Sequence, residues 1–283
     1  MALSILRDLR KVVSGLNASD IRAEAAREPR IGLAASDPSV REAMENFLAP
    51  GWLDATSRTR ALLALHAAGD PAERYDILLC EPGMPVPRNG YLFDANDPAP
   101  VIPAIVSEMP DLALALAATF PAFRRSVSAD IIHRISRENA LFALVTALPN
   151  VIPSVIELPW VVGEFATDTA FLTMNQARMA LMLAAAHGRD AGYAQQKIEL
   201  LTIVGGAFGW RAIARELAGK IPLGGGLIPK AAIAFAGTWV VGIGLEKFNR
   251  TGSGLSRREK QAAWATAMDE GKVVAVRLSK SAK

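Results

Sequence analysis

The spacing of apolar and polar positions divides the chain into a first part with strand-like runs and a second part that is almost wholly helical. Apolar runs typical of buried strands lie at 30–35, 75–80 and 101–106, the last weakened by Pro103. A helix is predicted over 39–48, because Asp37 is a favoured N-cap residue and Pro38 suits the first turn. Strands that alternate with helices predict a small parallel α/β sheet.

After Pro110 the pattern is helical throughout, with no strand-like alternation. Helices are predicted at 111–119, 128–148, 173–187, 194–219, 229–248 and, with a more polar surface, 256–270. Thr173 and Gln176 have the spacing of a capping box, and Gly188 is expected to end the same helix as its C′ residue. Residues 82–103, which contain six prolines, are predicted to be a loop, and 277–283 a disordered tail.

The first residues of the chain predict an amphipathic helix over 2–16. Its apolar face carries Ile5, Leu9, Val13 and Leu16, and basic residues lie opposite. Packing against its own domain is the favoured interpretation, and a position in the membrane interface is the alternative. A secretory signal is not expected, because four charged residues between positions 7 and 11 interrupt the apolar stretch.

The composition is apolar and mildly basic, with 51% hydrophobic residues and a net charge of +3. A mean hydropathy of +0.22 is high for a soluble protein, so apolar residues must be concentrated in part of the chain. The basic excess suits an anionic membrane surface but is too small and dispersed for nucleic acid, which is not expected as a partner. The single cysteine, Cys80, excludes an intramolecular disulfide and favours a reducing compartment.

The residues after the first predicted strand are laid out like a phosphate-binding loop at a helix N-terminus. Of the motif Gly-x-x-x-x-Gly-Lys-Ser/Thr, the run 32–39 keeps the first glycine, Gly32, and the final hydroxyl residue, Ser39. Asp37 replaces the second glycine and adds negative charge, and Pro38 replaces the lysine and lacks a backbone N–H. We therefore expect this loop to repel a nucleotide.

Two later segments show the same loss of contact groups. Residues 80–83, Cys-Glu-Pro-Gly, occupy the place of the Asp-x-x-Gly motif with which a GTPase organises Mg²⁺. Residues 105–109, Ile-Val-Ser-Glu-Met, stand where an Asn-Lys-x-Asp motif that reads guanine would follow a strand. Each comparison is weak alone, but three in the right order favour a degenerate GTPase-like domain.

No other catalytic or metal-binding pattern is found in the sequence. His66, His133 and His187 are far apart, and none has a partner at metal-ligand spacing, so surface or helix-end positions are favoured. Cys80 belongs to no Cys-His-Asn pattern and is expected to be a buried thiol at a strand end. We therefore expect no enzyme activity, no bound metal and no cofactor.

Two apolar windows, 139–163 and 221–245, approach the composition of membrane spans, each with a single charged residue. Three prolines interrupt the first, and the uninterrupted part of the second, 231–245, is shorter than the ~20 residues that cross a bilayer. A buried bundle and a hairpin inserted into a membrane both remain open, and the high hydropathy favours the membrane slightly. Trp239 and the apolar face of 2–16 are the expected contacts with a membrane or a protein partner.

Several segments of the second part resemble a known helical domain: Phe-Pro-Ala-Phe-Arg-Arg at 120–125, and 139–153, 176–188, 209–222 and 234–244. Together, over about residues 121–248, they resemble the domain of unknown function 697. In bacterial proteins this domain often follows a GTPase domain or sits in membrane proteins of the YcjF type, and the resemblance implies that context here. The family has no established activity, and its motifs identify no catalytic residue.

These observations predict four segments: an amphipathic helical segment (1–28), a degenerate GTPase-like α/β domain (29–119), an all-α apolar domain (120–250), and a polar helix with a basic tail (251–283). We expect a non-enzymatic adaptor or scaffold with a pseudo-GTPase domain at the cytoplasmic face of a membrane. Its partners would be the membrane and a protein, for example an intact GTPase. The alternatives are a switch that binds a nucleotide or phosphorylated ligand weakly near Ser39, and a soluble helical subunit of a larger complex.

Overall fold

The computed structural model describes residues 18–68, 74–146, 168–192, 195–196, 199–200 and 227–281. These residues form two compact units. The α/β unit consists of residues 19–129 and 185–190, and the helical unit consists of the described residues in 130–184 and from 191 onward. The division lies inside a long helix, downstream of the predicted boundary between 119 and 120.

The α/β unit is built on a four-stranded parallel sheet, which confirms the predicted sheet type. Its strands are β1 Ile31–Ala34, β2 Leu65–Ala67, β3 Ile77–Cys80 and β4 Gly90–Leu92, and its helices are α1 Ala18–Ala25, α2 Pro38–Leu48, α3 Ala55–Leu63, α4 Val101–Glu108 and α5 Pro110–Thr119. The strand order is β2-β1-β3-β4. Strand β1, which has a partner on each side, is buried at all four positions.

Helix α2 begins where the sequence predicts it. Asp37 has an extended backbone, with φ −90° and ψ 123°, and its carboxylate accepts the N–H of Ser39 at 2.8 Å. Pro38 lies in the first turn, where a backbone N–H would have no acceptor within the helix. The predicted cap is therefore confirmed.

Two predictions for the α/β unit are wrong. Residues 101–106 belong to helix α4 rather than to a strand. Pro103 lies in the first turn, where proline is tolerated, and a short apolar run alone does not distinguish a buried helix from a strand. Residues 82–103 are not only a loop, because β4 lies among them and pairs with β3. Elements α1, α3 and β2 were not predicted.

The helical unit contains the part of α6 Pro121–Val145 from residue 130 onward, most of α7 Asp168–Ala186, α8 Leu227–Thr251 and α9 Arg257–Ser281. A helix is predicted at each of these places. Gly188 follows α7 with a φ of +74°, and its N–H donates to the carbonyl of Ala185 at 2.8 Å, as predicted for the residue that ends the helix. The predicted helix over 2–16 and nearly all of that over 194–219 lie outside the described residues.

Two predictions at helix ends are wrong. Helix α7 begins at Asp168, so Thr173 and Gln176 are buried inside it and do not form a capping box. Helix α9 continues to Ser281, so residues 277–281 are helical and not a disordered tail. Leu278 is buried in one cluster with Ala231 and Phe235 of α8. This burial stabilises the last turns of α9, which the local sequence does not predict.

Helices α8 and α9 run antiparallel along each other. Lys247, near the end of α8, contacts Glu259, near the start of α9, and Ala232 lies against Gly271 farther along the pair. Among the described residues, Ile228–Thr251 is the one helix long and apolar enough to cross a membrane, judged by length and composition. In this structure 44% of its most apolar window is buried within the protein.

Candidate functional site

The carboxyl ends of β1 and β3 form the candidate site of the α/β unit. The chain continues from β1 to β2 on one side of the sheet and then to β3 on the other, so the strand order reverses between β1 and β3. Open parallel α/β sheets bind ligands in the crevice outside such a reversal point. Ala34 and Cys80 face each other in the β1–β3 register, so the residues that follow them lie at this reversal point.

The connection from β1 to α2 is too short for a phosphate-binding loop. It consists of residues 35–37, whereas the motif places four residues between its two glycines. Gly32 lies inside β1, and a Cβ atom there would lie 2.6 Å from Leu78 and 2.8 Å from the ring of Tyr75. This glycine therefore allows side chains to pack against the strand and is not a loop residue.

The carboxylate of Glu81 occupies the donors of this short loop. Its Oε2 atom accepts the N–H of Ser36 at 2.6 Å, the hydroxyl of Ser36 at 2.8 Å and the N–H of Asp37 at 3.2 Å. These groups lie at the carboxyl end of β1 and, without Glu81, could donate to a phosphate oxygen. Glu81 thus takes, from within the chain, the place that an anionic ligand would need.

The electrostatics of the site reinforce this arrangement. The hydroxyl of Ser36, followed by the N–H groups of Ser36 and Asp37, holds the pKa of Glu81 below its usual value. The N–H of Ser39 likewise lowers the pKa of Asp37. Both carboxylates are therefore ionised at neutral pH, and the negative charge of Asp37 acts against that of Glu81. A phosphate that approached this edge would meet two negative charges and donors already in use.

The other two segments that were compared with GTPase motifs are 80–83 and 105–109, and the structure treats them differently. Cys80 is buried at the end of β3, as predicted, and burial raises the pKa of its thiol, which disfavours the reactive thiolate. The run 105–109 follows no strand, because it lies at the end of α4. Glu108 there accepts the hydroxyl of Tyr91 at 3.0 Å, and burial together with this bond raises the pKa of Tyr91 to about 12. The comparison of 105–109 with a guanine-reading motif therefore fails, because that motif follows a strand.

The three histidines have different surroundings, each within its own unit. His66 lies in β2 with its ring 6.1 Å from that of Tyr75, and His133 lies on α6 with Nε2 3.4 Å from the carboxylate of Glu270. His187 follows the last residue of α7. Within the part of the chain that the structure describes, no three His, Cys, Asp or Glu side chains are placed to hold a metal ion.

The helical unit contains a buried polar network at the centre of α6, α7 and α8. The amide of Asn175 donates to Oδ1 of Asn139 at 2.8 Å, and the amide of Asn139 donates to the hydroxyl of Thr238 at 2.8 Å. Thr238 in turn donates to the carbonyl of Ala234 at 2.9 Å. All three polar side chains are buried, so the network links three helices by bonds that water does not compete for.

Trp239, the aromatic residue expected to contact a membrane or partner, packs within its own unit. It stacks on Phe235 with ring centroids 5.6 Å apart, and it meets the ring of His133 edge-on at 6.1 Å. It is partly buried against the α8–α9 core. The other expected contact residues, Ile5, Leu9, Val13 and Leu16, lie outside the described residues.

Comparison with protein-family models, with curated proteins and with solved structures finds no match to this chain. The similarity to the domain of unknown function 697 therefore rests on the sequence motifs alone.

Sequence reasoning missed the two residues that dominate this edge. Ser36 was an unremarked loop position, and Glu81 was noted only as part of a degenerate motif. A signal was present, because an acidic residue directly follows one buried strand and a serine follows another. Their contact, however, depends on β1 and β3 being neighbours, which the order of elements along the chain does not specify.

Proposed function

We propose that the protein is a non-enzymatic adaptor that associates with the cytoplasmic face of a membrane, in which a pseudo-GTPase α/β unit is joined to an apolar helical unit. The observation that carries the first half is the carboxylate of Glu81 on the three donors of the loop after β1. An internal anion at the ligand-binding edge, with Asp37 beside it, argues against a nucleotide that must compete with both.

The experiment for this half is calorimetry of the full chain with GTP and with ATP, each in the presence of Mg²⁺. No binding is expected for the wild-type chain. Micromolar binding that is lost on substitution of Asp37 or Ser39 would overturn the proposal and establish a nucleotide-binding protein instead.

A second candidate function, a switch that binds a phosphorylated ligand, is favoured by one observation. The three donors at Ser36 and Asp37 converge on a single oxygen, as they would on a phosphate oxygen. Displacement of Glu81 would expose them. Titration of the Glu81→Ala variant with inorganic phosphate tests this candidate, and Glu42→Gln, which removes one negative charge from an exposed position of α2, is its control.

The membrane half of the proposal is supported by composition. The chain has a mean hydropathy of +0.22, and Ile228–Thr251 is an apolar helix, although its packing along α9 does not suit a helix surrounded by lipid. Fractionation of cells that express the full chain, followed by a carbonate wash, measures this association. Recovery of the protein entirely in the soluble fraction before the wash would contradict membrane association and favour a soluble subunit. A defined oligomer purified without detergent would support that alternative.

The protein partner is proposed from the resemblance alone. Because the domain of unknown function 697 often follows a GTPase domain, an intact GTPase is the partner that we propose for a chain whose own nucleotide edge is occupied. Purification of the full chain together with the product of a neighbouring GTPase gene tests this pairing. Separate elution of the two proteins, with and without GTP, would contradict it.

A further inference from the structure

Helix α9 has two different faces in its last three turns. One face, with Val274, Ala275 and Leu278, is buried against α8. The other exposes two valines that are three residues apart: Val273 is 51% exposed and Val276 is 38% exposed. Lys280 lies seven residues after the first valine and four after the second, so the helical repeat places it on this same face.

The exposed valines are not explained by helix formation. Valine has a lower helix propensity than alanine, lysine or glutamate, any of which would suit a solvent-exposed helical position better. Single exposed apolar residues are common on protein surfaces. Here two lie together on one helical face beside basic residues, the combination found in helices that lie in a membrane interface.

The charge on α9 from Lys272 onward is of one sign. From Gly271 to Lys283 the sequence contains four basic residues, Lys272, Arg277, Lys280 and Lys283, and no acidic residue. Two acidic side chains lie one turn before Val273: Asp269 pairs with Lys272 at 3.0 Å, and Glu270 lies 3.4 Å from Nε2 of His133. The face beyond them therefore combines apolar side chains with positive charge only.

The packing of α8 limits how the chain can contact a bilayer. Helix α9 lies along α8 and exposes the charged side chains of Asp269 and Lys272, so α8 in this arrangement is not surrounded by lipid. Ile228, at the end of α8 that adjoins the last turns of α9, is itself 37% exposed. If this end of the helix pair contacts a membrane, it therefore does so at the membrane surface.

We propose that the face of α9 formed by Val273, Val276 and Lys280 docks on the surface of a membrane that contains anionic lipid. The valines would insert among the headgroups, and the basic residues would lie against the negative surface. This inference rests on the membrane association proposed above. It adds the site of contact on α9 and the class of lipid, and it makes the association peripheral rather than spanning.

The test is flotation of the purified full chain with vesicles of phosphatidylcholine alone and with vesicles containing about one-third phosphatidylserine. Val273→Ser with Val276→Ser removes the apolar contact, and Lys280→Glu reverses a charge. Leu63→Ser, at a residue that is 74% exposed on the α/β unit, is the matched control. Circular dichroism and gel filtration confirm that each variant is folded and report its oligomeric state.

The expected result is that the wild-type chain and the Leu63→Ser variant float with the phosphatidylserine vesicles only. Each α9 variant should bind about tenfold more weakly or not at all. Equal binding of the wild-type chain and the α9 variants would overturn the α9 site while leaving membrane association standing. If neither the wild-type chain nor the α9 variants float, both the α9 site and the proposed membrane association are overturned. A wild-type dimer that becomes a monomer in the valine variant would show that a second copy covers this face, which also overturns the inference.

Discussion

Asn139 of α6 donates its side-chain amide to the hydroxyl of Thr238 of α8 at 2.8 Å, and both side chains are fully buried or nearly so. Because Asn139 also accepts the amide of Asn175, one side chain joins three helices. Buried hydrogen bonds of this kind add modest net stability, but an arrangement that leaves one group without a partner is costly. The network therefore selects the relative positions of α6, α7 and α8.

Thr238→Val is expected to destabilise the helical unit by about 1–3 kcal/mol, because valine has the shape of threonine but leaves the amide of Asn139 without its acceptor. Urea denaturation followed by circular dichroism measures the change. Thr266→Val, at an exposed threonine of α9 that bonds within its own helix, is the control and should change stability by about 0.5 kcal/mol or less. Equal effects of the two variants would contradict a special role for the network.

Gly271→Ala and Gly244→Ala are expected to have opposite effects. A Cβ atom at Gly271 would lie 2.9 Å from the carbonyl oxygen of Ala232, a backbone atom that cannot move away easily. The α8–α9 pair should lose about 1–2 kcal/mol of stability. At Gly244 the nearest atom would lie 3.7 Å away, so alanine should add about 0.5–1 kcal/mol through its higher helix propensity.

Thermal denaturation of the two glycine variants beside the wild-type chain measures both changes in stability, the expected loss and the expected gain, in one experiment. If Gly271→Ala were as stable as Gly244→Ala, the close approach of α8 to α9 would be wrong.

Acid should weaken the start of α9 through Glu259. Its carboxylate accepts the N–H of Ser256 and contacts Lys247 at 2.7 Å, and the bond from Lys247 is the main reason that its pKa is lowered to about 2. A lowered pKa in the folded state contributes stability above the ordinary value of 4.5 and loses it as the pH falls toward 2.

Glu259→Gln keeps the capping geometry but removes the charge. The wild-type chain should be more stable than this variant at pH 7, and the difference in free energy of unfolding should shrink from pH 4.5 to about 2. Urea denaturation at a series of pH values measures it. A difference that does not change with pH would contradict the assignment.

The contact between Glu81 and the loop after β1 predicts protected amide hydrogens at an exposed turn. The N–H groups of Ser36 and Asp37 should exchange slowly with solvent because both donate to the carboxylate. Glu81→Ala should speed the exchange of both, and Glu42→Gln should leave it unchanged. Exchange followed by nuclear magnetic resonance measures each amide, and fast exchange in the wild-type chain would refute the bond.

Cys80 should react slowly with a thiol reagent in the folded chain. Its side chain is buried at the end of β3, and burial raises the pKa of the thiol, so little thiolate is present. Reaction with a chromogenic disulfide reagent in buffer and in urea compares the two states. Equal rates would show that the carboxyl edge of the sheet opens readily.

The capping signals show which sequence rules hold for this chain. Asp37 followed by Pro38 starts α2 as predicted, and Ser256 with Glu259 forms a reciprocal capping box at the start of α9. The same spacing at Thr173 and Gln176 predicts a cap that does not exist, because α7 begins earlier and buries both residues. A cap motif signals a helix start only where packing does not continue the helix past it.

The sequence alone determined the features that depend on near neighbours: the two central strands β1 and β3, the start of α2, and the helical character of the described residues after Pro110. Helix 101–108, the full lengths of α8 and α9, and the meeting of Glu81 with Ser36 were decided only by tertiary structure. Hydrogen bonds within a turn or cap join residues a few positions apart, so their signal is local. The contacts of Glu81 with Ser36 and of Asn139 with Thr238 join residues 45 and 99 positions apart, so no local pattern predicts them. Where such distant packing buries a segment, it overrides local preference.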